Sequence, residues 1–353
     1  MKKIRIASIV LALAMAVVVI AGCAPAAKPT AAPAKKLVFG ISNPWIGSEW
    51  RSQMLANFEL ACKELGIGTV VEHADTDVPG QIAQINRLIA KGVDAILINP
   101  ADIAALKPVI AEANKQGITV VIIDAEIPGD DHINVVINQK EWASISMRWL
   151  VAKLGGKGNI VTIEGYLGHP ANEYRMKGVA EVLAANPGIK LVGHDTGQWD
   201  PATAQKVATN FIAANPGLNG IWTQDGMAEA TLLAVQASGL SYEKWPQVVC
   251  EARASGLRTW QKMINEHPNF DCVAVINPPG CAYDAVYIAY NLLQGKKIDP
   301  AKLGGQFGNT IYKPLTTITN SNMPEWLKSV EGKPDGYTLD KFMTPAEIAA
   351  LFK

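Results

Sequence analysis

The segment GQIAQINRLIAKGVDAILINP, residues 80–100, decides the architecture of this chain. Its first part places apolar residues on one helical face, at Ile82, Ile85, Leu88 and Ile89. Gly92 then ends the helix, as glycine commonly does. The run DAILIN that follows, residues 94–99, is short, β-branched and largely apolar, which is typical of a strand buried in a parallel sheet. A helix that leads directly into such a strand indicates a right-handed βαβ unit.

The same alternation extends outward from this unit in both directions. ADIAALKPVIAEANKQG, residues 101–117, repeats the helical stripe, and further strands of the same composition lie on either side. Residues 37–138 and 159–277 each hold five such runs, which are more strands than one compact sheet comfortably accommodates. The pattern predicts an α/β fold of two doubly wound parallel-sheet lobes. The expected strands are 37–41, 69–74, 94–99, 118–124, 133–138, 159–165, 189–195, 219–224, 247–251 and 272–277.

The first 23 residues have the layout of an export signal. A cationic start is followed by an apolar stretch at 6–20, and Ile-Ala-Gly-Cys ends the segment. That ending resembles the lipobox of bacterial lipoproteins, in which Cys23 carries the lipid. The alternative is a transmembrane helix, but the apolar run is near the lower limit for spanning a bilayer. We therefore expect a signal peptide at 1–22 and a lipid anchor with a Pro/Ala/Lys tether at 23–36.

Composition narrows the class of function. The chain has 32 basic and 32 acidic residues, and no basic run lies outside the signal and tether, so nothing favours nucleic acid. The five histidines are scattered without metal-ligand spacing. No dinucleotide-binding glycine motif, phosphate-binding loop or Gly-x-Ser-x-Gly nucleophile motif occurs. The expectation is a protein that is not an enzyme and uses no cofactor or metal.

Four cysteines remain besides Cys23. An exported protein could pair them, but their spacing is not that of a disulfide framework. Cys62 falls on the apolar face of a predicted helix. Cys250 ends one predicted strand and Cys272 begins another, so parallel strands would hold them at opposite ends. Free thiols are expected.

Ligands of open α/β sheets bind at the carboxyl ends of the strands, where this chain carries polar and aromatic residues. Carboxylates, amides and arginines suit sugar hydroxyls, and aromatic faces cover the C–H side of a sugar ring. Two facing lobes would place these residues in one cleft. The candidate ligand-binding residues are Trp45, Trp50, Arg51, Asn99, Asp124, Asn138, Glu173, Trp199, Asp225, Glu251 and Asn277.

Several candidates have a structural alternative. The asparagines could serve turns, Asp124 could cap a turn, and Trp199 could belong to the core. For Arg175, an ion pair with a carboxylate of its own lobe is favoured over ligand contact. The remaining tryptophans are expected to serve packing: Trp142, Trp149, Trp222, Trp245, Trp260 and Trp326.

Over residues 36–315 the chain resembles the periplasmic-binding-protein type I family, in particular the ribose-binding-protein-like sugar receptors of ABC importers. The ordered features that carry the resemblance are Asn43-Pro44-Trp45, segment 80–100, ITVVIID at 118–124, Arg175 to Gly178, Trp199-Asp200 and the turn near Asn277. The resemblance implies that the aromatic residues after the first strand and at Trp199 enclose a sugar ring. It also implies that polar side chains hold the sugar hydroxyls, namely Asn99, Asp124, Asp225 and Asn277.

The chain also departs from the family pattern. Ala125 stands where ribose receptors often have arginine, and Glu173 occupies another frequent arginine position. Cys250-Glu251-Ala252 replaces a common Gly-Phe-Asp. Ribose as the ligand therefore does not follow from the resemblance.

The resemblance further implies three crossings between the lobes, which form a hinge near 138–141, 277–280 and 308–313. The first lobe would then comprise 37–138 and 279–310. The second would comprise 139–278 and 311–353, with a short terminal helix at TPAEIAALFK.

The expected function is that of an exported substrate-binding protein for carbohydrate transport. It would bind a monosaccharide or polyol and deliver it to the membrane permease of an ABC importer by hinge closure. The protein would be a monomer, lipid-anchored through Cys23 at the outer face of the cytoplasmic membrane or in the periplasm. The alternatives are a receptor for a nucleoside or other small polar ligand, and a partner that presents ligand to a chemoreceptor or sensor kinase.

Overall fold

The computed structural model describes residues 36–353, so the predicted signal peptide, the tether and Cys23 lie outside the described residues. The strands are β1 (Val38–Asn43), β2 (Gly68–His73), β3 (Ala95–Ile98), β4 (Thr119–Ile123), β5 (Ile133–Ile137), β6 (Gly158–Glu164), β7 (Ile189–Thr196), β8 (Leu218–Thr223), β9 (Gln247–Val248), β10 (Val273–Val275), β11 (Thr310–Lys313) and β12 (Thr317–Thr319). The helices are α1 (Glu49–Glu64), α2 (Val78–Ala90), α3 (Lys107–Lys115), α4 (Gln139–Lys153), α5 (Pro170–Ala184), α6 (Pro201–Ala214), α7 (Ala228–Gln236), α8 (Ala254–Glu266), α9 (Cys281–Leu293), α10 (Met323–Ser329) and α11 (Pro345–Ala349).

The first lobe is built on a six-stranded parallel sheet of order β11-β5-β4-β3-β1-β2. Strand β3 shows why its residues are apolar on both faces. Ala95 and Leu97 belong to the core under α1 and α9, whereas Ile96 and Ile98 belong to the core under α2 and α3. Successive side chains of a strand point to opposite faces, so a sheet covered by helices on both sides needs this composition. The doubly wound architecture is confirmed.

The second lobe contains a four-stranded parallel sheet of order β7-β6-β8-β9. The prediction of a fifth parallel strand in this sheet is wrong. Strand β10 instead pairs antiparallel with β12, because the chain returns from the first lobe after β11 and runs back alongside it. Strand β9 is also shorter than expected and ends at Val248.

The expectation of four free thiols is wrong for one pair. Cys250 and Cys272 form a disulfide with their Cα atoms 5.9 Å apart, while Cys62 and Cys281 are buried free cysteines. The backbone N–H of Cys250 donates to the carbonyl of Val273. The segment that follows β9 therefore lies beside the start of β10. The expectation that parallel strands hold Cys250 and Cys272 at opposite ends is wrong.

The chain crosses between the two sheets after β5, between β10 and α9, and between β11 and β12. The third crossing lies at residues 314–316 rather than near 308–313, because β11 continues the first sheet beside β5. The end of the chain also departs from expectation. Leu351, just after α11, packs in the core of the first lobe, so residues 311–353 do not all belong to the second. No helix within residues 36–353 is long and apolar enough to cross a membrane.

Candidate functional site

A cavity of about 480 Å³ lies between the lobes at the carboxyl ends of their strands. This volume is in the range of small-molecule sites. Eight of the eleven candidate residues line it: Trp45, Trp50, Arg51, Asp124, Trp199, Asp225, Glu251 and Asn277.

The other three candidates do not line the cavity. Asn138 caps helix α4 by accepting the backbone N–H of Glu141, which is the turn role that the sequence left open. Glu173 accepts the backbone N–H of Gly168. Asn99 is fully buried, and its amide contacts the sulfur of Met54. Asn138 and Glu173 are thus engaged by backbone N–H groups close in sequence, and Asn99 contacts a side chain of α1.

The cavity also contains residues that were not candidates. Tyr166 follows β6 and Arg253 follows Glu251 by two residues, so their proximity to strand ends was a usable signal. Arg175 lines the cavity. It also forms the expected ion pair with a carboxylate of its own lobe, because its Nη2 atom lies 3.7 Å from Oδ2 of Asp225. Thr338 lies far from any predicted strand, and no sequence signal marks it.

Arg51, in the first turns of α1, is almost fully buried. Its guanidinium donates to the side-chain oxygen of Asn43, lies 3.3 Å from Nε2 of His169, and stacks 4.7 Å from the centre of the Trp45 ring. Burial lowers the pKa of Arg51 to about 10, and the nearby carboxylate of Asp124 opposes that shift. The guanidinium therefore remains charged at neutral pH.

Arg175, on α5, is held by side chains of α4 and of the residue that follows β8. It donates to Gln139 at 2.8 Å and to Gln224 at 3.2 Å, and its guanidinium lies 4.0 Å from the centre of the Trp142 ring. Burial lowers its pKa, opposed by the charges of Asp225 and Asp124. Gly178, one turn later, lets α5 approach α4, because a Cβ there would overlap the carbonyl oxygen of Lys140.

Asp124, directly after β4, has a left-handed backbone with φ of +71°. Aspartate tolerates this region better than most residues, and such outliers cluster at functional sites. Its carbonyl accepts a hydrogen bond from Gln139, and its carboxylate lies 3.5 Å from the amide of Asn277. Burial raises its pKa, opposed by the charges of Arg51 and Arg175. The conformation directs an acidic side chain into the cavity.

Two more carboxyl groups come from the second lobe. Glu251 accepts the backbone N–H of Ala228 at the start of α7 and faces Arg253. Asp225 has a buried Oδ2 atom that makes no hydrogen bond to any residue of the described range 36–353. Burial raises the pKa of Asp225 to about 7 and also raises that of Glu251. The Oδ2 atom of Asp225 faces the guanidinium of Arg175 at 3.7 Å and is an acceptor available to a ligand hydroxyl.

Aromatic rings form part of the cavity wall. Trp199 has a left-handed φ of +51° and donates its indole N–H to Gln224. A Cβ on Gly165 would overlap its ring, so glycine is needed for this approach. Trp45 of the first lobe stacks on Tyr166 of the second, with ring centres 5.8 Å apart and planes 3° apart. This stack joins the two lobes beside the cavity.

Within residues 36–353, no group of histidine, cysteine, aspartate or glutamate side chains is arranged to hold a metal ion. The charged side chains of the cavity instead face one another as carboxylates and guanidiniums. The chemistry that this arrangement supports is hydrogen bonding to a polar ligand with aromatic contact to its apolar faces.

Comparisons of sequence identify the family. A family model described as periplasmic binding protein domain matches residues 39–297. The chain is 34% identical over 180 residues to the xylitol-binding protein of Mycolicibacterium smegmatis, a match that covers 50% of this chain and 52% of that protein. It is 29% identical over 269 residues to a putative rhizopine-binding protein of Rhizobium meliloti, covering 74% of this chain and 82% of that protein.

Comparison of structures gives the same family. The crystal structure of an ABC transporter solute binding protein from Thermobispora bispora matches with a TM-score of 0.76 at 28% identity, covering 89% of this chain and 94% of that one. The arabinose-transporter binding protein of a Shewanella species matches with a TM-score of 0.72 at 25% identity, covering 84% and 96%. With its two parallel-sheet lobes and its family match over residues 39–297, this chain belongs to the periplasmic binding protein family, type I.

Proposed function

We propose that this protein is the exported substrate-binding component of an ABC importer and that it binds a monosaccharide or polyol between its lobes. The observation that carries the proposal is the cavity itself, where buried carboxylates and guanidiniums from both lobes converge beside tryptophan rings. Proteins of this family bind substrates for transport, so catalysis is not part of the proposal.

The charges of the cavity favour a neutral ligand. Three guanidiniums line the cavity, those of Arg51, Arg175 and Arg253. Five carboxyl groups line it as well, from Asp75, Asp124, Asp200, Asp225 and Glu251. Because groups of both signs line the cavity, the hydroxyl groups of a neutral ligand can donate to the carboxylates and accept from the guanidiniums.

The names of similar proteins support the same class of ligand. Relatives are named for binding xylitol, ribose, galactofuranose and D-apiose, which are polyols and sugars. A nucleoside would also suit tryptophan faces, so nucleosides belong in the test.

The proposal is tested by a thermal-shift screen over pentoses, hexoses, polyols and nucleosides, followed by calorimetry on each compound that raises the melting temperature. A ligand that binds only the folded protein stabilises it in proportion to its saturation. We expect a neutral sugar or polyol to bind, and sugar acids or amino sugars of the same size to bind more weakly. Stabilisation by charged compounds alone would contradict the proposal.

The location of the protein follows from its leader, and we propose that Cys23 anchors it at the outer face of the cytoplasmic membrane. A lipid is the one strong membrane attachment that the leader and tether offer after cleavage. Cys23→Ser should therefore move the processed protein from the membrane fraction to the soluble fraction. Continued membrane association of the processed variant would contradict lipid anchoring. The anchored monomer would then deliver its ligand to the permease.

A further inference from the structure

Residues 337–343, here called the strap, lie beyond the part of the chain that the family model matches, which ends at residue 297. The strap lies between α10, which belongs to the second lobe, and α11. Leu351, just after α11, packs in the core of the first lobe. The strap therefore passes from one lobe to the other at the far end of the chain, in addition to the three crossings already described.

On the second lobe, the strap is bound through its backbone to the segment that follows Glu251. The N–H of Leu339 donates to the carbonyl of Ala252 at 2.9 Å, and the N–H of Ala254 donates to the carbonyl of Tyr337 at 2.8 Å. Arg253 and Thr338 form the antiparallel bridge between these two bonds. Leu339 is buried in the core beneath α8.

On the first lobe, the strap is bound by polar side chains of α1. The amide of Gln53 donates to the carbonyl of Thr338 at 2.9 Å and accepts the N–H of the same residue at 3.1 Å. It thereby pairs with the strap as a neighbouring strand would. One turn later, Asn57 donates to the carboxylate of Asp340 at 2.7 Å.

Asp340 also connects the strap to the second crossing. Its other carboxylate oxygen accepts the backbone N–H of Gly280 at 2.7 Å. A Cβ on Gly280 would overlap both Asp340 and Phe342, so the crossing and the strap are in close contact. Burial raises the pKa of Asp340, and its hydrogen bonds to Gly280 and Asn57 oppose that shift.

The strap also contributes directly to the cavity. Thr338 lines it and is buried, next to Arg253, which lines the same cavity. The residues that contact Thr338 from the first lobe belong to α1, which carries Trp50 and Arg51. The strap therefore joins the cavity wall of one lobe to the cavity wall of the other.

We propose that the strap is a fourth connection between the lobes, which holds them in the arrangement that encloses the cavity and so strengthens ligand binding. This inference rests on the proposed function for its effect on affinity, but its effect on the lobes is independent of any ligand. Gln53, Asn57 and Asp340 act as positioning residues, because they reach the cavity only through Thr338 and the crossing.

The experiment uses Gln53→Met, which keeps the length of the side chain and removes its two hydrogen bonds to Thr338 and its hydrogen bond to Asp340. Spin labels at Lys107→Cys and Lys206→Cys, exposed positions on the two lobes, report the distance between the lobes by electron spin resonance. A Cys23→Ser background removes the lipid-bearing thiol, and the free thiols Cys62 and Cys281 are buried. Calorimetry measures the affinity for a sugar or polyol found by the screen.

We expect Gln53→Met to shift the ligand-free distance distribution toward longer distances and to weaken binding roughly tenfold, because the hydrogen bonds between α1 and the strap are lost. The matched control is Gln116→Met, an exposed glutamine of the first lobe that bonds only within its own helix turn; it should leave both measurements unchanged. If Gln53→Met does not fold by circular dichroism, Asn57→Ala provides the same test.

An unchanged distance distribution in a folded variant overturns the inference, whether or not any compound binds. Failure of the wild-type protein to bind any compound of the panel overturns the proposed function instead, and the distance measurement still decides the role of the strap. A longer distance with unchanged affinity would overturn the part of the inference that concerns binding.

Discussion

Asp124 shows how a single residue combines backbone strain with a polar role. Its left-handed φ of +71° is tolerated by aspartate and asparagine but disfavoured for alanine. Asp124→Asn therefore keeps the backbone and replaces one acceptor oxygen with a donor. We expect this variant to fold normally and to lose about 1–3 kcal/mol of binding free energy, because a ligand hydroxyl loses its partner. Calorimetry with the ligand found by the screen measures the loss; wild-type affinity in the folded variant would remove Asp124 from the site.

Trp199 tests the aromatic part of the site. Its ring lies against Gly165 and lines the cavity, so Trp199→Ala should weaken binding more than it lowers stability. Trp260 is the matched control, because its ring is fully buried in the core beneath α8 and does not line the cavity. Trp260→Ala should cost about 3–5 kcal/mol of unfolding free energy and little affinity. Equal effects of the two variants on affinity would mean that Trp199 serves packing alone.

Asp225 makes stability depend on pH. Burial raises its pKa from 3.8 to about 7 in the folded protein, opposed by Arg175 and Arg253 and reinforced by the nearby carboxyls of Glu251 and Asp124. The folded chain therefore keeps a proton that the unfolded chain has already lost. The stability that Asp225 contributes is complete below pH 3.8 and is lost as pH rises through 7. The total loss is about 1.4 kcal/mol for each unit by which the pKa in the folded protein exceeds that in the unfolded chain.

Asp225→Asn removes this dependence. Urea unfolding of ligand-free protein at pH 5 and pH 8 should show a smaller loss of stability at the higher pH for Asp225→Asn than for the wild type. The control is Asp130→Asn, at an exposed position of the first lobe, which should follow the wild type at both pH values. Parallel behaviour of all three proteins would show that Asp225 does not hold its proton in the folded state.

At the scale of elements, the connection between β9 and β10 is the part of the second lobe that is held covalently. The disulfide joins the residue before Glu251 to the residue before β10, across 22 positions of sequence. In the chain-entropy model a loop of this length is worth about 3 kcal/mol. It also holds the start of the segment 250–253, which carries three cavity residues, Glu251, Ala252 and Arg253.

We therefore expect Cys250→Ala combined with Cys272→Ala to lower the unfolding free energy by about 2–4 kcal/mol and to weaken ligand binding. Addition of a reductant should lower the melting temperature of the wild type toward that of the double variant and leave the double variant unchanged. A wild-type protein that melts at the same temperature with and without reductant would contradict a stabilising disulfide.

For the whole molecule, the position of the cavity predicts closure. Each lobe supplies part of the polar contacts, and the Trp45–Tyr166 stack forms only when the lobes approach. Binding should therefore favour the closed arrangement over an open one. Small-angle scattering with and without ligand should show a smaller radius of gyration at saturation. An unchanged radius would indicate a site that does not move.

Local pattern alone was sufficient to predict the strand and helix order through β8. Segment 80–100 shows why: the spacing of Ile85 and Leu88 and the two apolar faces of β3 are consequences of backbone periodicity, and they need no knowledge of the rest of the chain. The clustering of Asp124, Asp225 and Trp199 was predictable for a related reason, because all three follow parallel strands whose ends meet at one edge.

Only the tertiary structure decided the features that depend on contacts distant in sequence. The stagger of β9 against β10, which joins Cys250 to Cys272, is set by the return of β12 from the first lobe. The place of Thr338 in the cavity is set by Gln53, 285 positions earlier in the chain. Periodicity within a segment carries no information about such partners, because the side-chain pattern of a strand or strap is the same whichever neighbour it meets. The sequence thus determined the elements and the edge where the site lies, whereas packing between the lobes determined how the site is enclosed.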